Sequence, residues 1–227
     1  MNAVILDKWS VQTDAGKTSV ILPDGCCDVI VSKSDGQAPN VKLSALMRAP
    51  QTIYSDQNAY MTGYRLKPAT EIDIDALKDL LHDLPPEEDC AEVIASASRT
   101  DPDLEEALKC LQTSIDTIEG TTKRLGVRKR TLQRLFAAHN LPSPVFWLQL
   151  ARARRAGQKI ALGAPLGDIA YASGFSDQAH MSRTIRAFFG VTPTQLKTRV
   201  DLTWQFFQPA FATGEHISTK LPSGSLT

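Results

Sequence analysis

No run in the 227 residues approaches the roughly 20 consecutive apolar residues that a membrane helix needs. The start, MNAVILDKWSVQTD, has neither a basic leader nor an apolar segment of signal-peptide length, so a cytoplasmic protein is expected. There are four cysteines, Cys26, Cys27, Cys90 and Cys110, and none forms a C-x-x-C pair, which argues against a zinc ribbon. In that compartment they are free thiols. Residues 1–81 contain no histidine, and His82, His139, His180 and His216 are scattered, which argues against a metalloenzyme built on clustered histidines. No Ser/His/Asp or Cys/His arrangement stands out, nor any glycine-rich phosphate loop. The expectation is a protein that binds and is not an enzyme, without cofactor or metal.

The formal net charge is also zero, but the charges are segregated. Residues 119–200 carry 14 Lys/Arg against 3 Asp/Glu, and residues 71–118 carry 3 against 14. Local charge decides whether a surface attracts a polyanion, so the basic third is the candidate interface. The acidic stretch reads either as a solvated connector or as a mask over the basic region.

Short apolar runs between turn formers, such as Val20–Leu22 and Val29–Val31 around Pro23-Asp24-Gly25, read residues 1–70 as short strands of a small barrel or sandwich. EIDIDALKDLLHD, residues 71–83, reads as a closing helix. Pro85-Pro86 breaks that pattern, and 84–100 is expected to be a linker. From there on the chain is helical. Asp101-Pro102, Ser143-Pro144 and Thr192-Pro193 are start signals, and Ser176 is expected to cap a helix that ends at Gly190. The fold class is therefore α+β, with a strand domain at 1–83, an all-α domain at 101–200 and a tail at 201–227. In the tail Trp204, Phe206, Phe207 and Phe211 are expected to dock, and the last residues to be mobile.

The all-α domain contains a repeat. Gly126-Val127 followed by Leu132-Gln133-Arg134-Leu135 parallels Gly174-Phe175 followed by Met181-Ser182-Arg183-Thr184-Ile185. A glycine provides a tight turn, the apolar residue after it plugs the angle between two helices, and the second helix turns its polar positions outward, which is the physics of helix-turn-helix. Ala170, four residues before Gly174, is small enough for close helix crossing. The first unit has Thr122 there, within Gly120–Lys123, a poor helix former.

Residues 121–197 resemble the DNA-binding region of the AraC/XylS family of bacterial transcription regulators. GDIAYASGFSDQAHMSRTIRAFFGVTPTQLK (167–197) carries most of the likeness, LGVRKRTLQRLF matches the family's first recognition helix, and PVFWLQLARARRA matches the helix between the two units. The resemblance implies seven helices and two helix-turn-helix units whose recognition helices enter successive major grooves roughly 34 Å apart. It places Arg130, Gln133 and Arg134 on the first base-contacting face, and Gln178, His180 and Arg183 on the second. Arg reads guanine and Gln reads adenine through paired bonds. Lys123, Arg124, Arg128 and Lys129 are expected to grip phosphates. Two departures are that Arg128 stands where the family has a helix-capping Ser, and Ile185 where an aromatic is usual. Double-stranded promoter or operator DNA, RNA polymerase, a small-molecule effector and a second copy of the chain are the implied partners, and the bacterial nucleoid the place.

VILPDGCCDVIV (20–31) and MTGYRLKPA (61–69) look like the small cupin-like sensor domains of some members. Lys67 and Ala69 flank Pro68, where related sensors more often have glycine after the proline. Trp9, Cys26, Arg48, Tyr54, Tyr64 and Arg65 are the candidate effector pocket, the arginines suiting a carboxylate or phosphate, with ordinary barrel core and rim as the alternative. Each cysteine reads first as a small buried hydrophobe, with a sensor thiol that reacts with an electrophile or oxidant as the alternative. The overall reading is an effector-responsive, sequence-specific transcription regulator. The alternative, a sensor or partner-binding protein whose specific DNA binding is weak or lost, rests on Gly120–Lys123 and Arg128.

Overall fold

The structure is a computed structural model, and it describes residues 4–33, 40–55, 59–82, 90–113 and 117–212. The order is β1 (Ile5–Thr13), β2 (Thr18–Ile21), β3 (Asp28–Lys33), β4 (Asn40–Leu43), β5 (Gln51–Tyr54), β6 (Ala59–Leu66), β7 (Glu71–Ile72), α1 (Ile74–His82), α2 (Ala91–Ser96), β8 (Ser98–Arg99), α3 (Pro102–Thr113), α4 (Ile118–Leu125), α5 (Lys129–Ala138), α6 (Pro144–Ala161), α7 (Leu166–Ala172), α8 (Gln178–Phe189), α9 (Pro193–Leu196) and α10 (Val200–Thr203). A 3-10 turn at Trp204–Phe207 follows. This is the expected α+β order, strands first and helices after.

Among the described residues three antiparallel sheets form: β1-β6-β3-β4, β2-β5 and β7-β8. Strands β6 and β3 are interior, β6 paired to β1 and β3, and β3 paired to β6 and β4. Because successive side chains alternate faces, one face carries Val29, Val31, Val41, Tyr64 and Leu66. It packs with Leu77 and Leu81 of α1 and Ile94 of α2 in a core of its own. The other face carries Trp9, Asp28 and Arg65. Trp9 lies opposite Gly63, and a Cβ on Gly63 would sit 2.0 Å from the indole, so only glycine admits the ring.

The linker expectation is corrected in part. Residues 91–99 form α2 and β8, with Ile94 fully buried and Glu71 paired to Arg99 across the β7–β8 ribbon. An apolar residue at Ile94 that can cover the sheet outweighs the proline break before it. Pro85-Pro86 itself lies outside the described residues. The 71–83 helix starts later than expected, at Ile74, because Glu71 and Ile72 pair with β8.

A second core fills the helical part. Trp147 of α6 is fully buried, with Phe146 at 5.7 Å and Phe211 at 4.9 Å, both edge-on. Two of the four tail aromatics dock fully here: Phe206 and Phe211 are buried, whereas Phe207 is half-buried and Trp204 is exposed, against expectation, and Phe206 packs so closely on Gly157 that a Cβ would fall 2.6 Å from its ring. The residues after Ala212 lie outside the described residues. Leu22, in the turn after β2, belongs to this helical core. No helix among the described residues is long and apolar enough to cross a membrane.

Candidate nucleic-acid interface

Among the described residues α3 to α9 make seven helices, and α4–α5 and α7–α8 are two helix-turn-helix units joined by α6. With 18 residues, α6 is about 27 Å long. Both turns place glycine in the left-handed region, Gly126 at φ 67° and Gly174 at φ 86°, where other residues are strained. The amides that follow close each turn backwards: Val127 N–H donates to the Thr122 carbonyl at 3.1 Å, and Phe175 N–H to the Ala170 carbonyl at 3.0 Å.

The units differ in their plugs. Phe175 is 3% exposed, as expected, and Ala170 is 1% exposed at the crossing. Val127 is 36% exposed, against expectation. Its short side chain does not reach the core, and Leu125, Leu132 and Leu135 do. The poor helix former Gly120–Lys123 is nonetheless helical. Thr117 caps α4 by accepting from the Gly120 amide at 3.3 Å, and the hydroxyls of Thr121 and Thr122 donate to carbonyls one turn back.

The helix starts also differ. Asp177, not Ser176, caps α8: its carboxylate accepts from the His180 amide at 2.7 Å and from the Ser176 hydroxyl at 3.0 Å. The His180 amide first, then that hydroxyl, holds the Asp177 carboxyl below the usual range. Arg128 occupies the capping position of α5 in extended backbone without a side-chain bond to the helix. A cation there opposes the helix dipole, so Arg128 destabilises the isolated helix and presents positive charge at its tip.

Arg130, Gln133 and Arg134 are exposed on α5, one turn apart, and Gln178 and Arg183 are exposed on α8. None of the three arginines makes an ion pair or side-chain hydrogen bond among the described residues. His180 is different: its ring meets the Ser176 hydroxyl at 3.2 Å and the Phe175 ring edge-on at 5.3 Å, so it is engaged in shaping the start of α8. Of the phosphate candidates, Lys123 and Arg128 are exposed at the surface. Arg124 bonds the Cys110 carbonyl at 3.4 Å, and Lys129 pairs with Glu119 at 3.5 Å, an exposed contact of little energy.

The six effector-pocket candidates do not converge. Trp9 and Arg65 both donate to Asp28, and Cys26 is buried with its amide on Asp24, which also pairs with Arg65, but Tyr64 points into the opposite core under the Lys8 ammonium, and Arg48 and Tyr54 are exposed. Alternation along β6 puts Tyr64 and Arg65 on opposite faces. Arg65 is moreover fully used: Nε donates to Asp28 at 3.1 Å, Nη2 meets Asp24 at 3.1 Å, and Nη1 donates to the Pro209 carbonyl at 3.1 Å. Burial works against its charge, and Asp24 and Asp28 more than offset that, holding the guanidinium firmly protonated. For the cysteines, burial first, then Asp24, pushes the Cys26 thiol well up, and the same causes with Asp28 push Cys27 up to about 11, which favours the small-hydrophobe reading over a ready nucleophile.

Two constellations were not anticipated from the sequence. The turn Leu22–Cys26 is seated on α6 and the tail: Arg154, fully buried, donates to the carbonyls of Pro23 and Gln205, and Phe211 N–H donates to the Asp24 carbonyl at 2.9 Å. His139, just past α5, lies between Glu71 and Asp101. An arginine within the apolar face of α6 was the readable signal for the first; nothing in the sequence pattern marked the second.

Comparison with known proteins agrees with this geometry. A family of helix-turn-helix domains matches residues 121–199. Residues 121–199 are an AraC-type helix-turn-helix domain. The chain is 34% identical over 111 residues to the probable bifunctional transcriptional activator/DNA repair enzyme AlkA in two strains of Mycobacterium tuberculosis; the match covers 47% of this chain. The chain spans about a fifth of the length of those curated relatives, the match covering 21% of them. Similar solved structures include ToxT from Vibrio cholerae (11% identical, 85% of this chain and 97% of that one, TM-score 0.49). The C-terminal domain of AraT, a response regulator from Geobacillus stearothermophilus, is 23% identical over 44% of this chain and 87% of its own (TM-score 0.41). A transcriptional regulator from Chromobacterium violaceum is 28% identical over 48% and 96% (TM-score 0.40).

Proposed function

We propose that this chain is a sequence-specific DNA-binding transcription regulator. The observation that carries the reading is the AraC-type domain in which two helix-turn-helix units each present exposed arginine beside glutamine, Arg130, Gln133 and Arg134 on α5 and Gln178 and Arg183 on α8. Arg134 and Arg183 read bases; Lys123 and Arg128 hold phosphates, with Arg124 and Lys129 joining them once their weak surface contacts exchange. His180 supports the α8 reading face through Ser176 and Phe175. Residues 101–200 supply DNA binding and residues 1–83 supply regulation, by an effector whose binding reaches α6 through Asp28, Arg65, Asp24 and the Pro23 turn. The protein acts in the cytoplasm at promoter DNA, with RNA polymerase and a second copy of the chain as further partners.

The test is fluorescence-anisotropy binding of the full chain to a pool of genomic fragments across a salt series, beside the double variant Arg134→Ala/Arg183→Ala. Selective binding in the wild type that flattens to sequence-indifferent affinity in the double variant is expected, with log affinity falling steeply as salt rises. Weak binding that ignores both sequence and the double change would overturn the reading.

A further inference from the structure

His139 closes the C-terminal end of α5, the first recognition helix. Its ring is 17% exposed and bonded at both nitrogens, Nδ1 to Glu71 Oε1 at 2.7 Å and Nε2 to Asp101 Oδ2 at 3.1 Å. Glu71 comes from the β7–β8 ribbon, and Asp101 is the residue that opens α3, accepting from the amides of Asp103 and Leu104. The three residues thus join a DNA-reading helix to the strand region.

An ionised carboxylate only accepts hydrogen bonds, and a neutral imidazole has one N–H to give. Two carboxylate partners therefore require either a doubly protonated ring or a protonated carboxyl. The surroundings favour the first. Arg99 Nε bonds the other Glu71 oxygen at 2.7 Å. The His139 bond first, then Arg99, holds the Glu71 carboxyl below its usual range. The Leu104 amide first, and Asp103 and His139 after it, hold Asp101 low. Of the other charges on these elements, Glu105, one turn along α3, is bound to Lys67 at 3.3 Å, and Asp73 follows the ribbon and accepts from the first amides of α1. Both ring partners are negative, and the carbonyl end of α5 also favours a cation.

We propose that His139 is a proton-operated clasp. With both nitrogens protonated it ties the end of the first recognition helix to the β7–β8 ribbon and to the start of α3. When one proton leaves, the ring has a single N–H to give, keeps one carboxylate and releases the other, and the acceptor set left behind no longer fixes α5. The clasped helix is pre-organised, so DNA is bound more tightly when the ring is doubly protonated. That last consequence rests on the function proposed above; the clasp itself does not.

The test uses the full chain in three forms: wild type, His139→Gln and Glu71→Gln. Nitrogen-15 spectra of the histidine rings are expected to show two hydrogen-bonded N–H groups on His139 at pH 6 and one at pH 8. The wild type should exceed His139→Gln in Tm by about 2–4 °C more at pH 6 than at pH 8, and Glu71→Gln should remove the same pH-dependent part while leaving the ring in place. A single ring N–H at pH 6, or a Tm difference that does not change with pH, overturns the proposal. In the DNA arm the ratio of affinities at pH 6 and pH 8 is expected to fall several-fold in His139→Gln; His180 is present in both proteins and cancels. Absence of DNA binding in every form, with the ring and Tm results as expected, would sink the DNA-binding reading and leave the clasp standing.

Discussion

Arg154 Nη1 donates to the carbonyl oxygen of Pro23 at 3.3 Å, across 131 residues of sequence. The guanidinium is fully buried, Nη2 donates to Gln205 at 3.2 Å, and the Phe206 ring lies 5.8 Å away. Burial lowers the group's hold on its proton, and Asp24 works against that. A charge is costly in such a place unless it is bonded and balanced. Here the cost is offset by two carbonyls and a nearby carboxylate, and those come from the strand-region turn and the tail. Helix α6, which carries Arg154, also joins the two helix-turn-helix units, so the turn is bonded to the element that sets the distance between the recognition helices.

Arg154→Ala should lower stability by about 3 kcal/mol, through a cavity and two carbonyls left without donors. Arg154→Met keeps much of the volume without the charge and should lose about 1–2 kcal/mol. Urea unfolding of the full chain measures both. A wild-type midpoint in Arg154→Met would mean that the carbonyl bonds hold nothing.

Gly157 lies inside α6, where helix propensity alone says that Gly157→Ala gains about 1 kcal/mol. The 2.6 Å approach of Phe206 to that Cβ position reverses the sign, because overpacking costs about 1–3 kcal/mol. Gly157→Ala should therefore destabilise, and Gly157→Ala in a Phe206→Leu background should not. A double-mutant cycle with no coupling between the two sites would refute the contact.

The helix starts at Pro102, Pro144 and Pro193 were legible because each depends on proline and a polar residue adjacent in sequence, and the repeat was legible because both units keep glycine, apolar residue and arginine in the same order, the second with one extra residue between the glycine and the helix core. The misplaced cap at Ser176 was an error of one residue: Asp177 is the stronger acceptor, and Ser176 donates to it. Val127 failed as a plug because reach into the core depends on side-chain length, which the spacing does not encode. The effector candidates failed for a different reason. Tyr64 and Arg65 are neighbours in sequence and opposite in space, and the partners that occupy Arg65 come from residues 24, 28 and 209, a convergence that only the folded chain reveals. The same holds for His139, whose partners lie 68 and 38 residues away.

Ala69 is a non-glycine residue with a positive φ, 63°. Left-handed backbone costs a residue with a Cβ about 1–2 kcal/mol, and glycine gives back part of that through its looser unfolded chain. Ala69→Gly should therefore raise stability by about 0.5–1 kcal/mol. Measured thermal unfolding with a lower Tm in the variant would contradict the strained geometry.

Cys26 and Cys27 sit beside Asp24 in the same seam, and burial before all else suppresses their thiolates. Native protein treated with an alkylating reagent at neutral pH should leave both unmodified by mass spectrometry, and addition of urea should expose them at the rate of unfolding. Rapid modification of Cys26 in the native protein would restore the thiol-sensor reading.

The cap on α8 gives the acid limit of the proposed reading face. Bonds from the His180 amide and the Ser176 hydroxyl stabilise the charged form of Asp177, so its contribution is fully present above the unfolded carboxylate range, about pH 4. It is lost as pH falls through the lower value of the folded state. Amide exchange at His180 and Met181 should accordingly quicken on acidification in the wild type, relative to amides in the middle of α8. Asp177→Asn keeps an acceptor but does not titrate, so its exchange relative to those same amides should stay level through that range. Asp177→Ala should show the fast exchange at every pH. If the Asn variant followed the wild type down the acid limb, the titrating group would be elsewhere. The comparison also bears on DNA: Arg183 is carried one turn and a half beyond Asp177, so a frayed first turn reduces the order of the segment that aims it, and His180, held by Ser176 in the capped state, loses its fixed position with it.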